Sequence, residues 1–197
     1  MTRFFTSDLH LGHANIIRYS ARPFADVDEM DVALVDRWNE TVGDEDDVWV
    51  LGDVAMGTLR DSLPLIELLR GRKVLVPGNH DRCWDGNSKG VERWTQEYLD
   101  AGFDEIRQGP VRLEVAGSDG RARSVLLAHF PYRGDSQDED RFVDQRPPDD
   151  GHTLLLHGHV HESWKVNGRM ANVGVDVWDY RPVAESTLVD ALLGLTR

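Results

Sequence analysis

The segment Val74 to Asp81, reading VLVPGNHD, breaks a short apolar run at Pro77 and Gly78 and then delivers three polar side chains. Asn79 offers a neutral oxygen ligand, His80 an imidazole that titrates near neutrality, and Asp81 a carboxylate able to hold that imidazole in one tautomer. PGN is also ordinary turn chemistry, so recurrence carries the weight. Four other apolar runs end in the same fashion. Arg3 to Thr6 leads to Asp8 and His10, Asp47 to Leu51 leads to Gly52 and Asp53, and Val125 to Ala128 leads to His129. Thr153 to Leu156 discharges into HGHVH, which carries His157, His159 and His161. Residues two apart on an extended chain point the same way, so DLH aims a carboxylate and an imidazole at one point. The same alternation puts the three histidines on one face, unless Gly158 breaks the extended geometry.

Asp8, His10, Asp53, Asn79, His129, His159 and His161 are nitrogen and oxygen donors with no thiolate among them, a set suited to divalent transition ions such as Mn, Fe, Zn or Ni. A single ion needs about four to six ligands, and seven with a carboxylate able to bridge fit a two-metal site, whose ions lie roughly 3.5 to 4 Å apart and share a hydroxide. His80 is then left for catalysis, with Asp81 as its orienting partner. Asn15 and Arg22, close in sequence to the first run, are candidate phosphate contacts. His13 and His157 are read as supporting or structural, Cys83 as structural, and Asp176 is left undecided.

These donors must be carried by strands. Runs as short as Val74 to Val76, β-branched and closed by Pro or Gly, are too brief for helices. Further strands are expected around Phe103 to Ile106, Val111 to Val115 and Met170 to Val175, with a hairpin turn at Ser118 to Gly120. One or two helical turns are expected over Ala14 to Tyr19. Met30, Leu34 and Trp38 recur every four residues, which predicts an amphipathic helix from Asp28 to Thr41 with Asp28 as its cap. Thr58 to Arg70, with Ser62 as a cap and Pro64 in the first turn, Val91 to Asp100, and Ser186 to Leu193 complete the helices. Tyr132 to Gly151 is acidic, contains Pro147 and Pro148, and is expected to be a long loop, either mobile or a lid. Strand ends of an α/β sheet gather at one edge, where such folds place their ligands.

The 197 residues fit one domain, 1–197. A net charge of −13 repels polyanions, and no basic stripe for long nucleic acid is present. No apolar run approaches the roughly 20 residues of a membrane span. The N-terminus lacks a signal-peptide pattern and the one cysteine has no internal partner, so a cytoplasmic location is expected.

With DLH at Asp8 to His10, GD at Gly52 to Asp53, GNHD at Gly78 to Asp81, AHFP at Ala128 to Pro131 and GHVH at Gly158 to His161, in that order, the chain resembles the calcineurin-like metallophosphoesterase superfamily. It looks most like small single-domain bacterial or phage members. The resemblance implies a two-sheet sandwich flanked by helices (α/β/β/α), with the metal site at the C-terminal ends of the strands. It also implies that Asp8, His10 and His161 hold one ion, that Asn79, His129 and His159 hold the other, and that Asp53 bridges them. His159 and His161 would thus serve different ions, where alternation alone gives them one. The implied activity is hydrolysis of small phosphate mono- or diesters by a metal-bridging hydroxide, His80 either stabilising phosphoryl oxygens or protonating the leaving alkoxide. The alternative is a non-catalytic, metal-binding interaction scaffold on the same fold. Protein phosphatases of the superfamily usually read GNHE where GNHD stands here.

Overall fold

The structure is a computed structural model that describes residues 1–87, 89–137 and 139–194. Two five-stranded sheets form it. The first is built from β1 (Arg3–Thr6), β2 (Asp47–Val50), β3 (Arg72–Leu75) and β4 (Glu105–Ile106), all parallel, with β10 (Val183–Ala184) antiparallel at the β1 edge. The second contains β5 (Val111–Ala116), β6 (Ala122–Leu127), β7 (Leu154–His157), β8 (Val166–Asn167) and β9 (Met170–Asn172) in the order β5-β6-β7-β9-β8. Here β6, β7 and β9 run parallel, and the two edge strands are antiparallel.

The strands of the first sheet are apolar on both faces, as a sheet covered on both sides requires. Phe5, Trp49, Leu51, Val74 and Val76 face Val115, Val125, Leu127 and Leu156 in a core between the sheets, and Phe5 registers with Trp49 and Trp49 with Val74. The alternate residues Phe4, Val48, Val50 and Leu75 pack outward in a second core. There they meet Met30, Leu34 and Trp38 of α2 (Val27–Thr41) and Tyr98 of α4 (Val91–Asp100). The shorter α1 (Ala14–Tyr19) and α3 (Leu59–Ser62) add Ile16 and the neighbouring Leu63 to that layer.

The two sheets and their helices are consistent with an α/β sandwich, and among the described residues no helix joins the apolar cluster on the outer face of the second sheet. The last helix, α5 (Glu185–Leu193), places Leu188, Val189 and Leu192 in the core between the sheets. On the outer face Leu126, Leu155 and Met170 pack with Ala128 and with Tyr132 of the long loop instead.

Four local expectations are corrected. Asp26, not Asp28, caps α2, accepting from the Glu29 N–H at 2.9 Å while the Glu29 carboxylate reaches back to the Ala25 N–H at 2.6 Å. The helix expected from Thr58 to Arg70 divides into α3 and a 3₁₀ segment, Leu63–Leu68, with Pro64 at the junction. Proline tolerates only the first positions of a helix, so a new segment begins there. Ser62 caps nothing, its hydroxyl donating to the Met56 carbonyl at 2.9 Å. The strand expected from Met170 to Val175 ends at Asn172, because Val173 and Gly174 turn toward Ser7 and join the sheets there by a parallel bridge. Among the described residues no helix is long and apolar enough to cross a membrane.

Candidate metal centre

The C-terminal ends of the parallel strands are level, Thr6 registering with Val50 and Val50 with Leu75 in one sheet, and Leu127 with Leu156 in the other. Every expected donor lies just past one of these ends. The chain does not reach them by extended alternation. Asp8 (φ 56°), His10 (53°), Asp53 (56°), His159 (71°) and His161 (47°) all take left-handed backbone conformations. A left-handed residue breaks the period of two, so the side chains converge through tight turns. Backbone bonds from Asp8 N to Gly52 O, His10 N to Asp53 O and Gly158 N to His129 O, each 3.0 Å, tie the turns together. The close approach excludes side chains at Gly78 and Gly158. A Cβ on Gly78 would overlap Asp53 Oδ1 and sit 2.7 Å from His129 Nδ1, and one on Gly158 would fall on Ser7 Oγ.

Two groups of ligand atoms result. Those of Asp8, His10 and His161 lie within 4.8 Å of one another, and so do those of Asp8, Asp53 and His129. Asp8 is common to both. Asp53 is also central: its Oδ2 is 3.6 Å from His10 Nε2 and 3.4 Å from His129 Nε2. Asn79 Oδ1 lies 3.1 Å from His129 Nε2, and the His159 ring is 5.3 Å from that of His129, centroid to centroid. The alternation HVH does not put both histidines in one group, since His161 joins His10 whereas His159 faces His129.

The donor set fits divalent cations. Both ring nitrogens of His10 are buried with no hydrogen-bond partner, which is costly for an imidazole unless something else occupies a lone pair. Burial holds His10 well below its ordinary pKa, and burial with the charge of His129 pushes His159 down to about 3. Both are therefore neutral, the form that binds metals. Burial raises the Asp8 carboxyl. Burial also opposes ionisation of Asp53, but His129, His10 and His80 outweigh it and hold that carboxyl well below the usual range. Burial disfavours His129 imidazolium as well, yet Asp53 raises its pKa to about 9, so His129 must give up a proton to take a cation.

The outer partners fix which nitrogen faces inward. His129 Nδ1 donates to Leu51 O at 2.8 Å, leaving Nε2 for the centre. His161 Nδ1 lies 3.3 Å from Asp176 Oδ2 and His159 Nε2 lies 3.1 Å from Asp135 Oδ2. A carboxylate only accepts, so each facing nitrogen carries the hydrogen, freeing His161 Nε2 and His159 Nδ1.

No family model matches the chain. It is 40% identical over 190 residues to the Gene 66 protein of Mycobacterium phage D29, covering 92% of each chain. With the Gene 66 protein of Mycobacterium phage L5 it shares 36% identity over 184 residues, 89% of this chain and 86% of that one. The chain belongs to the family of these Gene 66 proteins. A protein of unknown function from Aquifex aeolicus has a similar fold, with a TM-score of 0.69, 26% identity, and coverage of 96% of this chain and 98% of the other.

Within this Gene 66 family member two sequence-based roles are corrected. Arg22 is not a phosphate contact. It is buried, its Nε and Nη2 fork onto Asp176 at 2.8 and 3.0 Å, and its Nη1 and Nη2 donate to the Leu9 and Asp8 carbonyls at 2.9 and 2.7 Å. Asp81 does not orient His80. Its buried carboxylate accepts from the backbone N–H groups of Asp53 (2.8 Å), Val54 (3.0 Å) and Gly78 (2.8 Å), which pins the β2 and β3 turns to each other. His80 is held instead through its backbone, which donates to Asp53 Oδ1 at 2.9 Å, and its side chain is 41% exposed with Nε2 4.0 Å from Asp53 Oδ2. Asn15 is exposed in the first turn of α1. His13 stacks at a tilt 5.3 Å from the His10 ring, and His157 is buried with Nδ1 donating to Gly158 O at 2.7 Å. Cys83 is buried in the outer core.

Asp135 was missed. It lies in the acidic loop, where nothing in the sequence distinguishes it from its neighbours. The fold turns that loop inward: Arg141 pairs with Asp135 at 2.6 Å, and the Phe142 ring packs 5.6 Å from that of His159 and 5.1 Å from that of Phe130.

Proposed function

We propose that this protein is a dinuclear, metal-dependent phosphoesterase of the calcineurin-like type, hydrolysing small phosphate mono- or diesters. The supporting observation is the meeting of two largely buried acid-and-imidazole groups at one shared carboxylate, Asp8, with both nitrogens of His10 left without partners. Asp8, His10 and His161 would hold one ion, Asn79, His129 and His159 the other, with Asp53 between them. The ions are Mn, Fe, Zn or Ni by the chemistry of the donors.

Such cations supply positive charge against phosphoryl oxygens and a water of lowered pKa. The protein supplies the rest. Asp135 and Asp176 hold the His159 and His161 rings in the ligating tautomer, and Asp81 keeps the turns of Asp53 and Asn79 in register. His80, the exposed imidazole at the edge of the cluster, meets the substrate and donates a proton to the departing alkoxide. The substrate is a small soluble phosphate ester met in the cytoplasm by a single domain spanning 1–197. A surface of −13 works against long nucleic acid.

The test measures metal content after loading with Mn, and p-nitrophenol release from p-nitrophenyl phosphate and bis(p-nitrophenyl) phosphate with and without chelator. Two equivalents of bound metal and chelator-sensitive release support the reading. Fewer than two equivalents, or release indifferent to chelator, overturns it.

A further inference from the structure

Beside the ligand cluster lies a cleft of about 170 Å³, whose walls include Met56, Gly57, Asn79, His80, Arg82 and Asn87. It shares Asn79 and His80 with the centre. Among the described residues no acidic residue lines it, in a chain that carries 35 Asp and Glu against 22 Lys and Arg. Arg82 is exposed, and among the described residues its guanidinium has no hydrogen bond or ion pair, whereas Arg3, Arg22, Arg72, Arg107 and Arg141 are each committed to a carboxylate. The wall around it is held firmly, because the Asn87 side-chain amide donates to the Asp81 carbonyl at 2.8 Å and Asp81 is itself clamped by three backbone N–H groups. A free guanidinium in an acid-free recess is suited to a phosphate, whose oxygens match its planar fork. The volume lies below the roughly 300 Å³ at which pockets begin to hold drug-sized ligands. It admits a few carbons and one phosphate.

We propose, resting on the phosphoesterase reading, that this cleft receives the leaving group and that Arg82 selects substrates whose leaving group is a small alcohol carrying a second phosphate. Hydrolysis breaks the P–O bond to that alcohol, the water oxygen stays on the released phosphate, and the leaving oxygen takes a proton from His80. The second phosphate is meanwhile held by Arg82. His80 belongs both to the cleft wall and to the edge of the centre, its Nε2 4.0 Å from Asp53 Oδ2, as that division of roles requires.

Release of inorganic phosphate from butane-1,4-diol bisphosphate and from the corresponding monophosphate is measured with the Mn-loaded full chain, together with calorimetric titration of the bisphosphate. The wild-type protein should favour the bisphosphate in kcat/KM. Arg82→Ala should lower the bisphosphate-to-monophosphate ratio about tenfold or more, the scale of one hydrogen bond to a charged group, and Arg82→Lys should restore part of it. A ratio unchanged by Arg82→Ala overturns the assignment while leaving the phosphoesterase reading standing. If the wild-type protein with two bound Mn hydrolyses neither ester, that reading fails and calorimetry decides the cleft on its own. Bisphosphate affinity weakened tenfold by Arg82→Ala then supports the anion site, and equal affinity overturns it.

Discussion

Replacing Arg22 separates a substrate contact from a structural tie. The Arg22 and Asp176 side chains are 0% and 1% exposed, so Arg22→Ala leaves a carboxylate buried without its cation. Breaking a buried pair in this manner costs about 3 to 5 kcal/mol. Two carbonyls, of Asp8 and Leu9, lose their donors as well, although water entering the vacated volume recovers part of that. A net loss of about 4 kcal/mol corresponds to a fall in Tm of roughly 8 to 16 °C for a chain of this size. Arg22→Lys keeps the charge without the fork and should lose roughly half as much. Asp176→Asn added to Arg22→Ala should recover stability, because the stranded charge is removed while an amide oxygen still accepts from His161 Nδ1. Calorimetric melting of the four proteins reads these differences. A Tm for Arg22→Ala within about 2 °C of wild type, with KM raised, would refute the structural role and return Arg22 to the substrate.

The other predictions concern the centre and its surroundings. Asp135→Ala should weaken binding of the ion held by His159 about 10- to 100-fold, read by competition with a chelating dye, since the ring loses the partner that fixes its tautomer. His80→Ala should keep both metals and lose about 10² to 10⁴ in kcat, and full turnover in the metal-loaded variant would remove His80 from the chemistry. Burial pushes the Asp31 carboxyl up to about 6 against the opposing Gly12 N–H, so the folded state binds that proton more tightly than the unfolded chain. Stability from this group is present below about pH 4 and lost as pH rises through about 6. Asp31→Asn should therefore gain in urea midpoint over wild type at pH 7 to 8 and not at pH 4, by about 1 kcal/mol once its partial exposure is discounted. Chelation should lower Tm by roughly 5 to 10 °C for each ion present at a hundredfold over its Kd, and an unchanged Tm would speak against resident metal.

The positions of the donors were legible because each stands directly behind a short apolar run closed by a turn residue, and parallel strands end level. The manner of convergence was not. Period-two alternation describes extended chain, and the DLH and HVH segments are left-handed at the residues that matter. Roles that depend on pairs remote in sequence were likewise hidden. Arg22 meets Asp176 across 154 positions, and what Asp81 accepts comes from Asp53 and Val54 on another turn. GNHD invites the reading of Asp81 as a partner of its neighbour His80. The structure shows the same carboxylate satisfying three backbone donors that the turns would otherwise bury unpaired. The single helix expected from Thr58 to Arg70 failed for a local reason, its proline falling where only a helix start tolerates one.

The left-handed residues connect fold and site. Holding a non-glycine residue in that region costs about 1 to 3 kcal/mol, so Asp8, His10, Asp53, His159 and His161 together store something on the order of the 5 to 15 kcal/mol by which a whole domain is stable. Two buried carboxylates close to one another, and a buried imidazole whose ring nitrogens have no partner, add to that. Apolar packing does not relieve these terms where they arise, because the donors point at one another and not into either core. Cations placed among them would, by satisfying His10 and screening Asp8 from Asp53. Among the described residues five of the nine left-handed non-glycine residues are these donors, and strain combined with desolvation on the same side chains is the physical ground for proposing that the turns bind cations, with the two cores as the rigid support that keeps the turns from relaxing.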